Sequence, residues 1–148
     1  MIKPDGVQRR LVGRIVGRIE EKGLRIAGMK LVRMTAAQAA DLYAQHRGKD
    51  FYDRLVRFVT SSPVVVMAVE GNRAAAVVRR MMGARSGFEA EPGTLRGDFG
   101  DSESWNLVHG ADDPASGRRE ISIFFGEDEL AACEHADQPW ICTEFERA

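Results

Sequence analysis

Six consecutive apolar residues, Val64 to Val69, follow the break Ser61-Ser62-Pro63, and they limit more than any other feature what this chain can fold into. A short uninterrupted apolar run suits a buried strand covered on both faces. An earlier stretch, Leu24 to Met34, is rich in Ile, Val and Leu and reads as a longer strand.

Helical patterns surround both runs. Leu11 to Gly23 sets Val12, Ile15, Val16 and Ile19 on one face with Arg, Glu and Lys opposite, and Gly23 is a natural stop. Thr35 with Gln38 forms a capping box that opens a helix carrying Tyr43. Further helices read over Phe51 to Thr60, over Asn72 to Met82, and from the Asp113-Pro114 start through Phe125. Leu107-Val108 reads as a short strand. Residues 83 to 104 hold Gly83, Gly87, Pro92, Gly93, Gly97 and Gly100, loop chemistry over a length that is unusual unless the loop has a task. The stretch 126–148 reads as an acidic tail.

The two long strands are joined through two helices, and the strands are few. That pattern predicts a small α+β sandwich formed as one domain over residues 1–148. At 44% hydrophobic residues the chain can bury a real core, and a net charge of -1 argues against whole-surface attraction to nucleic acid or anionic membrane. The longest apolar run, Pro63 to Val69, is too short to span a bilayer, and Met1-Ile2-Lys3-Pro4 leaves no room for a signal peptide. Cys133 and Cys142 match neither a paired zinc-ligand spacing nor a disulfide scaffold. A soluble, cytoplasmic protein is expected.

The usual glycine-loop phosphate cradles, G-x-x-x-x-G-K-[ST] and G-x-G-x-x-G, are absent from the sequence. Phosphate would have to be held by side chains such as Lys3, Arg79, Arg85 and Arg96, although each taken alone reads more readily as a solvated or surface-paired cation. His46 and His135 read as solvent-facing. His109 follows an apolar strand, precedes Gly110 and has Asn106 three residues back. A lone strand-end histidine is more often structural than catalytic, so spacing alone favours a structural role for it, and it leaves Glu120 facing either a partner or water.

In chain order, several segments closely resemble nucleoside diphosphate kinases. They are Ile2-Lys3-Pro4-Asp5-Gly6-Val7, Ser62-Pro63-Val64-Val65, Met81-Met82-Gly83, Pro92-Gly93-Thr94-Leu95-Arg96-Gly97-Asp98-Phe99, Asn106-Leu107-Val108-His109-Gly110 and Arg119-Glu120-Ile121. The resemblance implies a ferredoxin-like four-stranded antiparallel sheet with helices packed on it. It also implies a ping-pong reaction in which a triphosphate phosphorylates a histidine and a diphosphate then removes the phosphoryl group.

By position, the resemblance makes His109 the nucleophile and Glu120 the carboxylate that orients it. Lys3, Arg79 and Arg96 match the phosphate-holding cations, and Tyr43 matches the tyrosine near the lysine. Asn106 and Lys3 match groups that contact the ribose, Phe51 the aromatic that stacks on the base, and Leu55 supports that wall. Mg2+ would arrive with the nucleotide. The implied partners are ATP and other nucleoside di- and triphosphates, with no membrane and no specific nucleic acid, in a homo-oligomer that is a hexamer or a tetramer.

The sequence departs from the family pattern at several positions. Ala111 replaces a serine after His-Gly, Arg85 replaces a phosphate-contacting threonine, Ser104-Trp105 replaces Gly-Arg, and Glu103 replaces a small apolar residue facing the base. The family also has most of a strand ahead of Lys-Pro-Asp-Gly, so a shortened first strand is expected. Ala111 and that strand motivate a second reading, a catalytically impaired nucleotide-binding or assembly subunit of the same fold.

Overall fold

A computed structural model describes residues 1–132 and 135–146, so Cys133 lies outside the described residues. Helices α1 (Pro4–Gln8) and α2 (Val12–Glu21) precede strand β1 (Arg25–Val32). Helices α3 (Ala36–Leu42) and α4 (Tyr52–Thr60) lead to strand β2 (Val64–Glu70), which is followed by helices α5 (Ala74–Met82), α6 (Leu95–Phe99), α7 (Pro114–Ser122) and α8 (Gln138–Ile141). The architecture is α+β with an antiparallel sheet, β1 running from Arg25 opposite Glu70 to Val32 opposite Val64.

Alternation along β2 divides the core between the two faces of the sheet. Val65 packs with Ile15 and Ile19 of α2 and Met82 of α5. Val64, Val66 and Ala68 pack on the other face with Ala39, Leu42, Val59 and Phe125. The apolar run is therefore covered on both sides, as its composition requires.

Among the described residues the sheet contains two strands rather than the expected four. Ile2 forms single bridges to Val65 on one side and Val108 on the other. Neither bridge extends, because Pro4 begins α1 two residues later and Leu107 takes a left-handed φ of 68°. Pro4 stands at the first helical position, where its missing N–H costs nothing.

Several helix boundaries follow local chemistry. Gly23, at φ 82°, ends α2 while its N–H and that of Leu24 bond Glu20 O and Ile19 O. The capping box of Thr35 and Gln38 is formed, and Asp113 accepts from Ser116 N at 2.8 Å to cap α7. The stretch read as a loop contains α6, whose Thr94 side chain accepts from Gly97 N at 3.1 Å. Gly83, at φ 80°, lies where a Cβ would collide with the Thr94 side chain, so the glycine lets α5 end against α6. The start of the acidic tail is docked: Leu130 lies beside Phe125 against Gly28 of β1, and Ala131 N bonds Ala27 O at 2.7 Å. No described helix is long and apolar enough to cross a membrane.

Candidate active site

Three backbone devices place His109. Its N–H bonds Met1 O at 2.9 Å, fixing it beside the Ile2 bridge. Two residues earlier, the left-handed Leu107 is held by Asp5, whose Oδ2 accepts its N–H at 3.0 Å, while Lys3 N bonds Leu107 O at 2.8 Å. A leucine in that conformation is uncommon and persists only when its surroundings over-determine it. The Asp113 cap then starts α7, which carries Glu120 back to the histidine.

Glu120 Oε2 lies 2.8 Å from Nε2 of His109, with the two side chains 13% and 18% exposed. A carboxylate accepts, so Nε2 carries the hydrogen and Nδ1 keeps its lone pair. Burial pushes the imidazole below its ordinary value, against the opposing pull of Glu120 and with smaller contributions from the Met1 amino group and Lys3. The ring is therefore neutral at neutral pH and nucleophilic at one nitrogen.

The Tyr43 ring meets His109 edge-on, with centroids 5.4 Å apart and an interplanar angle of 78°. Its hydroxyl is buried and has no hydrogen-bond partner among the described residues. Burial, and then Glu120, push the phenol upward, so it stays protonated and has a donor to spend.

Lys3 Nζ donates to Asn106 Oδ1 at 2.5 Å, and Asn106 Nδ2 donates to Arg85 O at 2.9 Å. Burial and then Arg96 lower the Lys3 ammonium to about 8, partly opposed by Asp5. Arg96 is buried and spans four carbonyls: Asn106 O at 3.0 Å, Gly83 O at 3.1 Å, Ala84 O at 3.3 Å and Val108 O at 2.9 Å. Its guanidinium ties the end of α5 to the segment that carries the histidine.

Arg79 and Arg85 differ from that buried cation. Arg79 is half-exposed and pairs with Asp112 at 3.0 Å, and Arg85 is exposed beside Glu103 at 3.5 Å. The Arg85 guanidinium also lies 5.5 Å from the centroid of the Phe51 ring.

One cleft of about 510 Å³ is lined by all the residues proposed from the sequence: Lys3, Tyr43, Phe51, Leu55, Arg79, Arg85, Arg96, Asn106, His109 and Glu120. That volume falls in the range of small-molecule sites. A larger, mainly apolar cavity of about 680 Å³ runs beside β2 and reaches the back of His109, but Lys3, Arg85 and Arg96 do not line it. The polar chemistry converges in the smaller cleft.

The structure adds residues that the sequence reading passed over. His46, read as solvent-facing, lines the cleft, with its ring centroid 6.3 Å from Tyr43 and 5.4 Å from Phe51. Burial, followed by Lys49 and Arg85, lowers its imidazole. Asp112 lines the mouth beside Arg79, and Trp105 stacks on Phe58 at 6.2 Å. Only the spacing of His46 from Tyr43, one helical turn, could have signalled its place.

Comparison with known proteins identifies the family. Residues 1–130 match the family model described as nucleoside diphosphate kinase. A nucleoside diphosphate kinase of Archaeoglobus fulgidus is 51% identical over 144 residues, 97% of this chain and 95% of that protein. One from Halalkalibacterium halodurans is 48% identical over 95% of this chain and 96% of its own length. Among solved structures, a halophilic nucleoside diphosphate kinase from Halobacterium salinarum in complex with CDP superposes with a TM-score of 0.93. It is 45% identical over 95% of this chain and 94% of its own. By sequence over most of its length and by fold, this chain belongs to the nucleoside diphosphate kinase family.

Proposed function

We propose that this chain transfers the terminal phosphoryl group of a nucleoside triphosphate to a nucleoside diphosphate, carrying it in between on Nδ1 of His109. The observation that carries this reading is the 2.8 Å contact between Glu120 and Nε2, made at the inner end of a cleft lined by lysine and arginine. In the first step the Nδ1 lone pair forms an N–P bond to the terminal phosphorus. The P–O bond to the leaving diphosphate breaks, and its electron pair stays on that oxygen. The imidazole becomes cationic, and Nε2–H remains bonded to the Glu120 carboxylate, which stabilises the new charge. The acceptor diphosphate reverses these steps.

In this reading Lys3 and Arg79 meet the phosphates, and Arg79 exchanges Asp112 for a phosphate oxygen. Arg96 presents its guanidinium from a scaffold of carbonyls, and Arg85 is a further cation at the rim. The Tyr43 hydroxyl donates near the lysine, Asn106 and Lys3 contact the ribose, and Phe51 backed by Leu55 takes the base. Positioning and charge stabilisation supply most of the catalysis in such transfers. Ala111 leaves the pairing of His109 with Glu120 in place.

Among the described residues no group of three or more His, Cys, Asp or Glu side chains stands together to hold a metal. The donor set fits magnesium carried on the nucleotide, with Asp112 the cleft carboxylate that would face it. When bound, it neutralises phosphate oxygens. That the Halobacterium protein was solved in complex with CDP supports nucleotide binding by this chain. We further read β1, β2 and the bridging segments at Ile2 and Val108 as the four positions of a ferredoxin-like sheet. In the same reading, residues 1–148 form one domain that assembles as a hexamer or tetramer in the cytoplasm.

Initial rates with ATP and a second diphosphate varied together test the reaction class. Parallel double-reciprocal lines are expected from a carried phosphoryl group. Intersecting lines would indicate direct transfer in a ternary complex and remove His109 from the pathway.

A further inference from the structure

The cleft has two chemically distinct ends, joined by a path of neighbouring side chains. From His109 the path runs to Tyr43 at 5.4 Å, to His46 at 6.3 Å and to Phe51 at 5.4 Å between ring centroids. It continues to Arg85, 5.5 Å from the Phe51 ring, and ends at Glu103, 3.5 Å from Arg85 Nε. In the phosphotransfer reading, with the terminal phosphate at His109 and the base on Phe51, the base lies beside Arg85 and Glu103. An aromatic face accepts any base and cannot choose between them.

Three carboxylates line the cleft: Glu103, Asp112 and Glu120. Glu120 pairs with His109, and Asp112 pairs with Arg79. Glu103 alone stands at the outer end. Its contact with Arg85 is longer than an ordinary hydrogen bond, and its side chain is 55% exposed. Both oxygens can therefore accept from a ligand.

We propose that Glu103 selects the base, favouring guanine over uracil and thymine; this rests on the phosphotransfer reading above. Guanine presents N1–H and N2–H side by side, a spacing that the two oxygens of a carboxylate accept together. Adenine and cytosine offer one amino group beside an unprotonated ring nitrogen. Uracil and thymine present one N–H between two carbonyl oxygens, which the carboxylate repels. Because the group is half-exposed and screened by solvent, the preference is moderate, on the order of tenfold.

The test compares kcat/KM for GDP and UDP as acceptors, with one fixed donor, in the wild-type chain, Glu103→Gln and Glu103→Val. The wild type is expected to favour GDP by roughly tenfold. Glu103→Val should lower kcat/KM for GDP, raise it for UDP and bring the ratio near one, with Glu103→Gln between. A wild-type ratio near one, a ratio retained in Glu103→Val, or an equal loss for both acceptors would overturn the proposal. Equal loss would mean that Glu103 acts only by holding Arg85. Calorimetric binding of GDP and UDP reads the same preference without turnover. Absence of phosphotransfer would then strike the parent reading, while the binding ratio would still decide the role of Glu103.

Discussion

Glu120 Oε2 meets Nε2 of His109 at 2.8 Å, and this single contact determines which nitrogen of the ring is free. Replacing the carboxylate by an amide keeps the shape and removes the charge that steadies the imidazolium. Glu120→Gln should slow phosphorylation of His109 by about ten- to a hundredfold, the worth of a charge-assisted hydrogen bond. Single-turnover labelling with ATP measures the rate, and calorimetry checks that nucleotide still binds. An unchanged labelling rate would show that the carboxylate has no part in the step.

If Lys3 meets the phosphates as proposed, the reaction should have a basic limb. Its pKa is lowered to about 8, so the charged form that meets phosphate predominates below that pH and is lost above it. The profile of kcat/KM, which reports the free enzyme, should therefore decline above about 8. Tyr43 is pushed upward and His109 downward, so neither accounts for such a limb. Lys3→Arg should move the decline to higher pH; a decline at the same pH would assign it to another group.

Arg96 and Arg79 should separate when each is changed to lysine. Arg96 serves four carbonyls, and an ammonium cannot span them. Arg96→Lys is expected to cost on the order of 3 kcal/mol of stability in a denaturant titration, in addition to any loss of activity. Arg79 is half-exposed, so Arg79→Lys should leave stability within about 0.5 kcal/mol and act chiefly on KM. Equal stability losses would contradict the scaffold role of Arg96.

The buried Tyr43 hydroxyl lacks a partner among the described residues, at a cost to the free protein. Tyr43→Phe should leave thermal stability unchanged or raise it slightly. If the hydroxyl donates to the nucleotide, the same variant should lose about tenfold in kcat/KM. A lower melting temperature with unchanged kinetics would make the hydroxyl structural.

Much of this site was legible because its parts sit in short, chemically distinctive segments. The Thr35–Gln38 box, the Asp113 cap and the Val64–Val69 run each specify local structure, and each has the expected form. Helix α6 was hidden because glycines at 93, 97 and 100 imitate a loop, although Thr94 supplies a cap. Helix α1 was hidden inside a motif of only a few residues. His46 was missed because position on the helix cannot say that Phe51, five residues on, folds back against it. Nor could sequence show that Arg96 is spent largely on backbone carbonyls. That depends on four carbonyls, from two segments distant in sequence, meeting at one guanidinium.

The central claim is that His109 carries the phosphoryl group. Incubating the protein with ATP and magnesium and weighing it intact tests this directly. One acid-labile phosphate should be gained, absent from His109→Ala and returned on addition of a nucleoside diphosphate. A folded protein that takes up no phosphate, or a His109→Ala variant that is labelled equally, would contradict it.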